Sequence, residues 1–80
     1  MTNVLAVLTI IVKSSDSVER VNALLHSARD YVIGRMGLPI KEREVSVISI
    51  VLDAPPEIIN SLSGKLGMLD GVSSKVLTTK

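Results

Sequence analysis

Cysteine, phenylalanine and tryptophan are absent from this 80-residue chain, which has one tyrosine and one histidine. Without cysteine there is no disulfide, no thiolate metal site and no cysteine nucleophile, so the expected location is the reducing cytoplasm. Without Phe and Trp, the core must be built from Val, Ile, Leu and Met. The chain also lacks the aromatic platforms on which single-stranded nucleic acids stack.

The chain also lacks a large net charge, because its nine basic and eight acidic residues leave a net charge of only +1. DNA-binding proteins carry a clear basic excess, so direct DNA binding is not expected. The N-terminal apolar run is too short to span a bilayer, so no membrane partner is expected.

Two uninterrupted apolar runs rich in Val and Ile, Val4–Val12 and residues 45–52, predict buried strands that are neighbours at the centre of a sheet. Two further segments have strand-forming residues but are interrupted. Residues 31–40 contain two glycines and a proline, and residues 72–79 are polar, so both are predicted as edge strands.

Two helices are predicted between these strands. Asp16 is a candidate N-cap, with Glu19 in the capping-box position, for a helix over residues 17–30. The Pro55-Pro56 pair opens the second helix, and Gly71 is its predicted stop signal. The apolar stripes are Val18, Val21, Leu24, Leu25 and Ala28 in the first helix and Ile58, Ile59, Leu62, Leu66 and Leu69 in the second.

The resulting order, β-α-β-β-α-β, predicts a ferredoxin-like α+β fold. In this fold a four-stranded antiparallel sheet carries two helices on one face. Residues 1–80 have neither a linker nor a low-complexity segment, and we expect them to form a single domain.

Catalytic chemistry has little support in the sequence. His26 is the only imidazole, and it has neither several converging metal ligands nor a nucleophile elbow beside it. We therefore expect no enzyme, no metal site and no cofactor, and we interpret His26 as a solvated surface residue.

Residues 63–67 resemble part of a phosphate-binding loop. The Walker pattern requires a glycine and a Ser or Thr where this chain has Ile59 and Leu66, so the segment is not a P-loop. Gly64 inside a helix instead predicts close approach by a neighbouring strand or by a ligand, which makes Gly64 and Lys65 candidate contact residues.

Residues 32–40 resemble the V-I-G-x-x-G-x-x-I core of KH domains, whose GXXG loop clamps an RNA backbone. The loop here would be Ile33-Gly34-Arg35-Met36-Gly37. Pro39 and the strand that follows leave less room than the full helix of a KH domain requires. RNA binding through this loop is the alternative function.

Three further segments resemble a family of small bacterial proteins known as iron-only hydrogenase system regulators. They are Leu24-Leu25-His26, Arg35-Met36-Gly37-Leu38-Pro39, and Leu62-Ser63-Gly64-Lys65-Leu66-Gly67 followed by Gly71-Val72. That family is similar to ACT domains and to the regulatory domain of the nickel-responsive repressor. The resemblance implies a ferredoxin-like fold used for effector binding and assembly. Nickel sensing is not implied for this chain, because the repressor binds nickel with several histidines and a cysteine, whereas this chain has one histidine and no cysteine.

The resemblance implies a non-enzymatic, ACT-like regulatory or ligand-sensing module, a transcriptional regulator associated with iron-only hydrogenase maturation. Since all eighty residues are used by the domain, it would act through oligomerisation and a protein partner. A small-molecule effector is expected near the turn at residues 14–16 and the segment at residues 35–39. The candidate effector or interface residues are Ser15, Asp16, Arg35, Gly37, Pro39, Gly64 and Lys65.

Self-association is predicted from the central strands, because neither of them alternates cleanly between apolar and polar residues. Whichever face meets the helices, at least three apolar side chains per strand remain on the far side. A soluble monomer seldom exposes such a patch. We expect a homodimer or a tetramer formed through the sheet faces or through paired edge strands.

Overall fold

The structure, a computed structural model, describes residues 2–79. The elements follow the predicted order: β1 (Val4–Val12), α1 (Val18–Ser27), β2 (Val32–Ile40), β3 (Val45–Ala54), α2 (Pro56–Gly67) and β4 (Val72–Thr78). Short 3-10 turns lie before and after α1 and before β3, at Ser15–Ser17, Arg29–Tyr31 and Lys41–Arg43.

The four strands form one antiparallel sheet in the order β2-β3-β1-β4. The two uninterrupted apolar strands are central and the two interrupted ones are edges, which confirms the ferredoxin-like prediction. β3 is two residues longer than predicted, because Asp53 and Ala54 still pair with Leu5 and Val4. Pro55 then ends the strand.

The hydrophobic core lies between the two helices and one face of the sheet. Alternate residues of β1 point into it, and β3 contributes the residues that pair with them. The buried side chains are Ala6, Leu8, Ile10, Val12, Val21, Leu25, Ala28, Ile48, Ile50, Leu52, Ala54, Ile59, Leu62 and Leu66. The core is therefore aliphatic, as the composition predicts. Of the predicted helix stripes, Leu24, Ile58 and Leu69 are only partly buried, Leu69 lies just after α2, Val18 is exposed, and the other residues are buried.

The start of α1 differs from the prediction. Asp16 lies inside the 3-10 turn, and no side chain caps either the turn or the helix. Ser17, at the N-cap position, instead directs its hydroxyl to the carbonyl of Asp70. The helix also ends at Ser27 rather than near residue 30, because the chain must leave it to bring Val32 into the sheet.

Gly71 is not the end of α2, which stops at Gly67, four residues earlier. Gly71 has a φ of 70° and belongs to the turn that leads into β4. Its carbonyl accepts a hydrogen bond of 2.6 Å from the amide of Lys13, which ties this turn to the end of β1. A Cβ on Gly71 would lie 2.8 Å from the Cβ of Ser14. The requirement for glycine here is therefore both conformational and steric.

Candidate ligand-binding groove

An open groove runs between α1 and the outer strand β2. Along the middle of β2, the residues on the helix side of the sheet are Arg35, Gly37 and Pro39, which pair with Ile50, Ile48 and Ser46 of β3. Gly37 has no side chain, and a Cβ placed there would have nothing within 4 Å. The space above β2 is therefore left unfilled.

The groove consists of two cavities of about 760 and 190 Å³, and Asn22 and Arg35 line both of them. The floor of the larger cavity is apolar and is formed by Leu25, Val32 and Ile50. Its polar lining is made by Glu19, Asn22 and His26 on α1, by Arg29 in the 3-10 turn after it and by Arg35 on β2. A polar edge around an apolar floor is the usual composition of a small-molecule site.

The basic side chains come from three neighbouring segments. His26 lies in the last turn of α1, where the helix dipole favours cations, and Arg29 begins the 3-10 turn that follows. The guanidinium of Arg29 donates a hydrogen bond of 3.1 Å to the carbonyl of His26. Arg35 lines the same cavity from β2, so two arginines and a histidine share it with the single carboxylate of Glu19.

The structure brings together part of the predicted site. Arg35, Gly37 and Pro39 line the smaller cavity of the groove. Ser15 borders an adjoining depression of about 210 Å³ that also contacts Pro39. The turn before α1 therefore lies near the C-terminal end of β2, and Asp16 is not among the residues that line these two cavities.

Gly64 and Lys65 lie on α2, away from the groove. A Cβ on Gly64 would have nothing within 4 Å, so the expectation that a neighbouring strand approaches this glycine is wrong. Lys65 borders a separate cavity of about 130 Å³ between the two helices, together with Leu24 and Tyr31.

Sequence reasoning missed Asn22, His26 and Arg29 as groove residues. Their spacing of four and then three residues is that of one helix face, which is a recognisable signal, and Arg29 follows in the turn just after α1. The pattern of one helix does not show that a strand lies opposite, so sequence analysis interprets His26 as a solvated surface residue and does not single out Asn22 or Arg29. Sequence analysis does identify Arg35, as a candidate effector or interface residue in a segment predicted to be an edge strand.

The KH-like loop does not form. Residues 33–37 lie within β2 and are extended, so the interpretation of this segment as a GXXG loop is wrong. Its first glycine instead follows a β-bulge, where the pairing with β3 shifts between Val32 and Gly34. Glycine is common beside bulges of edge strands.

Two further features of residues 2–79 bear on function. No group of three or more His, Asp or Glu side chains is placed to hold a metal ion within this range. None of the helices in the same range is long and apolar enough to cross a membrane.

A model of one protein family, described as "TM1266-like: Iron-only hydrogenase system regulator, putative", matches residues 4–76. The chain belongs to this family. The TM1266-like family has a representative of known structure, the uncharacterized protein TM1266 from Thermotoga maritima. That structure matches with a TM-score of 0.93 and 34% identity, and the match covers 98% of this chain and 99% of the other.

More distant structures share the fold alone. A formyltetrahydrofolate deformylase from Pseudomonas putida KT2440 matches with a TM-score of 0.66 and 15% identity, over 91% of this chain and 28% of the enzyme. The de novo designed protein Foldit4 matches with a TM-score of 0.54 and 15% identity, over 98% of this chain and 97% of the design. None of the curated proteins compared with the chain matches it.

Proposed function

We propose that this member of the TM1266-like family is a non-enzymatic regulatory module that senses a small ligand and works as a homodimer. It transmits the presence of the bound ligand to a protein partner. The observation that carries the proposal is the face of the sheet opposite the helices, which is apolar and uncovered. Family membership supports the regulatory role, and the occupant of this face is a second copy of the chain.

The pairing register shows which residues share this open sheet face. Val7 and Ile11 of β1 lie opposite Val51 and Val47 of β3, and none of the four is buried. The apolar residues of the open sheet face are Leu5, Val7, Ile11, Met36, Leu38, Ile40, Val45, Val47, Val51 and Leu77. Met36 and Leu77 are the most exposed of them, at 60% and 74%.

The size of the open sheet face fits a dimer. Four strands about 4.8 Å apart and about 30 Å long give a flat area of about 500 Å² per copy. Two such faces packed together bury about 1,000 Å² or more, the lower limit for a specific interface. A two-fold axis lets the same apolar patch serve both partners. The face therefore has enough area to be covered by a second copy.

Sedimentation equilibrium tests the dimer. At about 10 μM protein, the range expected for a modest specific interface, we expect at least twice the monomer mass of 8.6 kDa. Val47→Lys introduces a charge on the open sheet face between Ile11 and Leu38 and should give monomer. Met68→Lys is the matched control, because Met68 is 84% exposed and lies beyond the end of α2.

Two results would contradict this arrangement. A monomer that stays soluble at high concentration would mean that the open sheet face has no second copy on it. A dimer that survives Val47→Lys would instead indicate pairing of edge strands, which leaves the sheet faces free.

A further inference from the structure

We infer that the groove between α1 and β2 binds a small organic anion, with its apolar body on Ala23 and Val32 and its carboxylate or phosphate group on Arg35. This inference deepens the proposed function, because it names the chemistry of the sensed ligand. It concerns the helix side of the sheet, whereas self-association concerns the opposite side.

The charge of the groove determines the sign of the ligand. Arg35 takes part in none of the three side-chain hydrogen bonds within residues 2–79. Its guanidinium therefore keeps all its donors for a ligand, in the planar arrangement that suits carboxylate and phosphate oxygens. His26 lines the same cavity from α1 and Arg29 lines it from the turn after α1, and Glu19 is the one acidic residue beside them. The surplus of basic groups favours an anion.

The floor of the groove indicates that the anion also has an apolar part. Ala23 is exposed and Val32 is partly exposed, and both line the larger cavity beside the buried side chains of Leu25 and Ile50. Inorganic phosphate would contact the arginines but would leave the exposed apolar surface of the cavity in contact with water. An apolar ring or chain attached to the anion would cover the floor and displace that water.

The dimensions of the groove favour a small molecule over a nucleic acid. Its larger cavity, of about 760 Å³, lies within the usual range for ligand pockets, which is about 300–1,000 Å³. Gly37 and Pro39 continue the groove towards the turn before α1, and neither provides a donor side chain for a row of phosphates. Arg35 is the only basic side chain on β2. A clamp that follows an RNA backbone needs several such contacts.

Titration of the full chain with phenyl phosphate, followed by ¹H–¹⁵N NMR, tests the inference. Phenyl phosphate combines an apolar ring with an anion, and inorganic phosphate and benzyl alcohol each provide one half. We expect saturable shifts at the amides of residues 22–29 and 35–37 below about 10 mM ligand. Each half alone should bind at least about fivefold more weakly, since neither can use both the floor and Arg35.

Three variants make the test specific. Arg35→Gln should weaken binding by about tenfold, because a charge-assisted hydrogen bond is lost. Glu19→Gln should strengthen it by about twofold, because one repulsive charge is removed. Arg43→Gln is the matched control, since Arg43 lies in the turn after β2, outside the groove, and it should bind like the unchanged chain.

The inference is overturned by an absence of shifts, by shifts confined to the open sheet face, or by equal weakening in Arg35→Gln and Arg43→Gln. It is also overturned if a short single-stranded RNA binds the same amides more tightly than phenyl phosphate and loses that affinity with salt. Sedimentation of the same samples reports self-association separately. Failure of ligand binding is therefore distinguishable from failure of the dimer.

Discussion

The hydroxyl of Ser17 donates a hydrogen bond of 2.7 Å to the backbone carbonyl of Asp70, which lies 53 positions away in the chain. Ser17 is 5% exposed and is the one polar residue buried in the described part of the chain. The bond joins the start of α1 to the turn before β4. Together with the bond from the Lys13 amide to the Gly71 carbonyl, it connects the two halves of the fold at one end of the sheet.

Ser17→Ala should lower the free energy of unfolding by about 1–2 kcal/mol, because the partly buried carbonyl of Asp70 loses its donor. Urea unfolding followed by circular dichroism measures the change. Ser27→Ala is the matched control, since the Ser27 hydroxyl bonds the Leu24 carbonyl at 2.6 Å on the exposed side of α1. A similar loss of unfolding free energy in both variants would show that the Ser17–Asp70 hydrogen bond contributes no more to stability than the exposed bond within α1.

Gly71→Ala should destabilise the domain by about 1–3 kcal/mol, because an alanine at positive φ is strained. The new Cβ would also lie 2.8 Å from the Cβ of Ser14 and 3.1 Å from its backbone nitrogen. In a domain of this size, each kcal/mol lowers the melting temperature by about 4–8 °C. An unchanged melting temperature would mean that the turn adjusts without cost.

Gly64→Ala should have the opposite effect and stabilise the domain, raising the free energy of unfolding by about 0.5–1 kcal/mol. Gly64 lies in the interior of α2, where alanine is the best helix former, and the added methyl group meets nothing within 4 Å. Thermal melts of the Gly64→Ala and Gly71→Ala variants, recorded side by side, check both signs. If Gly64→Ala destabilises the chain, that glycine contacts something in the assembled protein, such as a second copy or a partner.

Much of the fold could be predicted from the sequence because the evidence for it is local. Val4–Val12 was predicted with the bounds that the structure shows, since an uninterrupted apolar run has few alternatives to a buried strand. The edge positions of β2 and β4 followed from their glycine, proline and polar residues. The ends of α1 were less predictable, because Asp16 has the chemistry of an N-cap but lies in a turn that bonds through its backbone.

The amino-acid sequence by itself determined the element order, the apolar stripe of each helix and the surplus of apolar residues on whichever face of the central strands the helices leave uncovered. Those properties depend on side-chain periodicity along one strand or one helix. Only the tertiary structure decided that His26 and Arg29 share a groove with Arg35. It also decided that Ser17 donates a hydrogen bond to Asp70, and that a Cβ at position 71 would clash with Ser14. Each of these relations joins residues of different elements. The distance between such residues depends on how the helices and turns are positioned on the sheet.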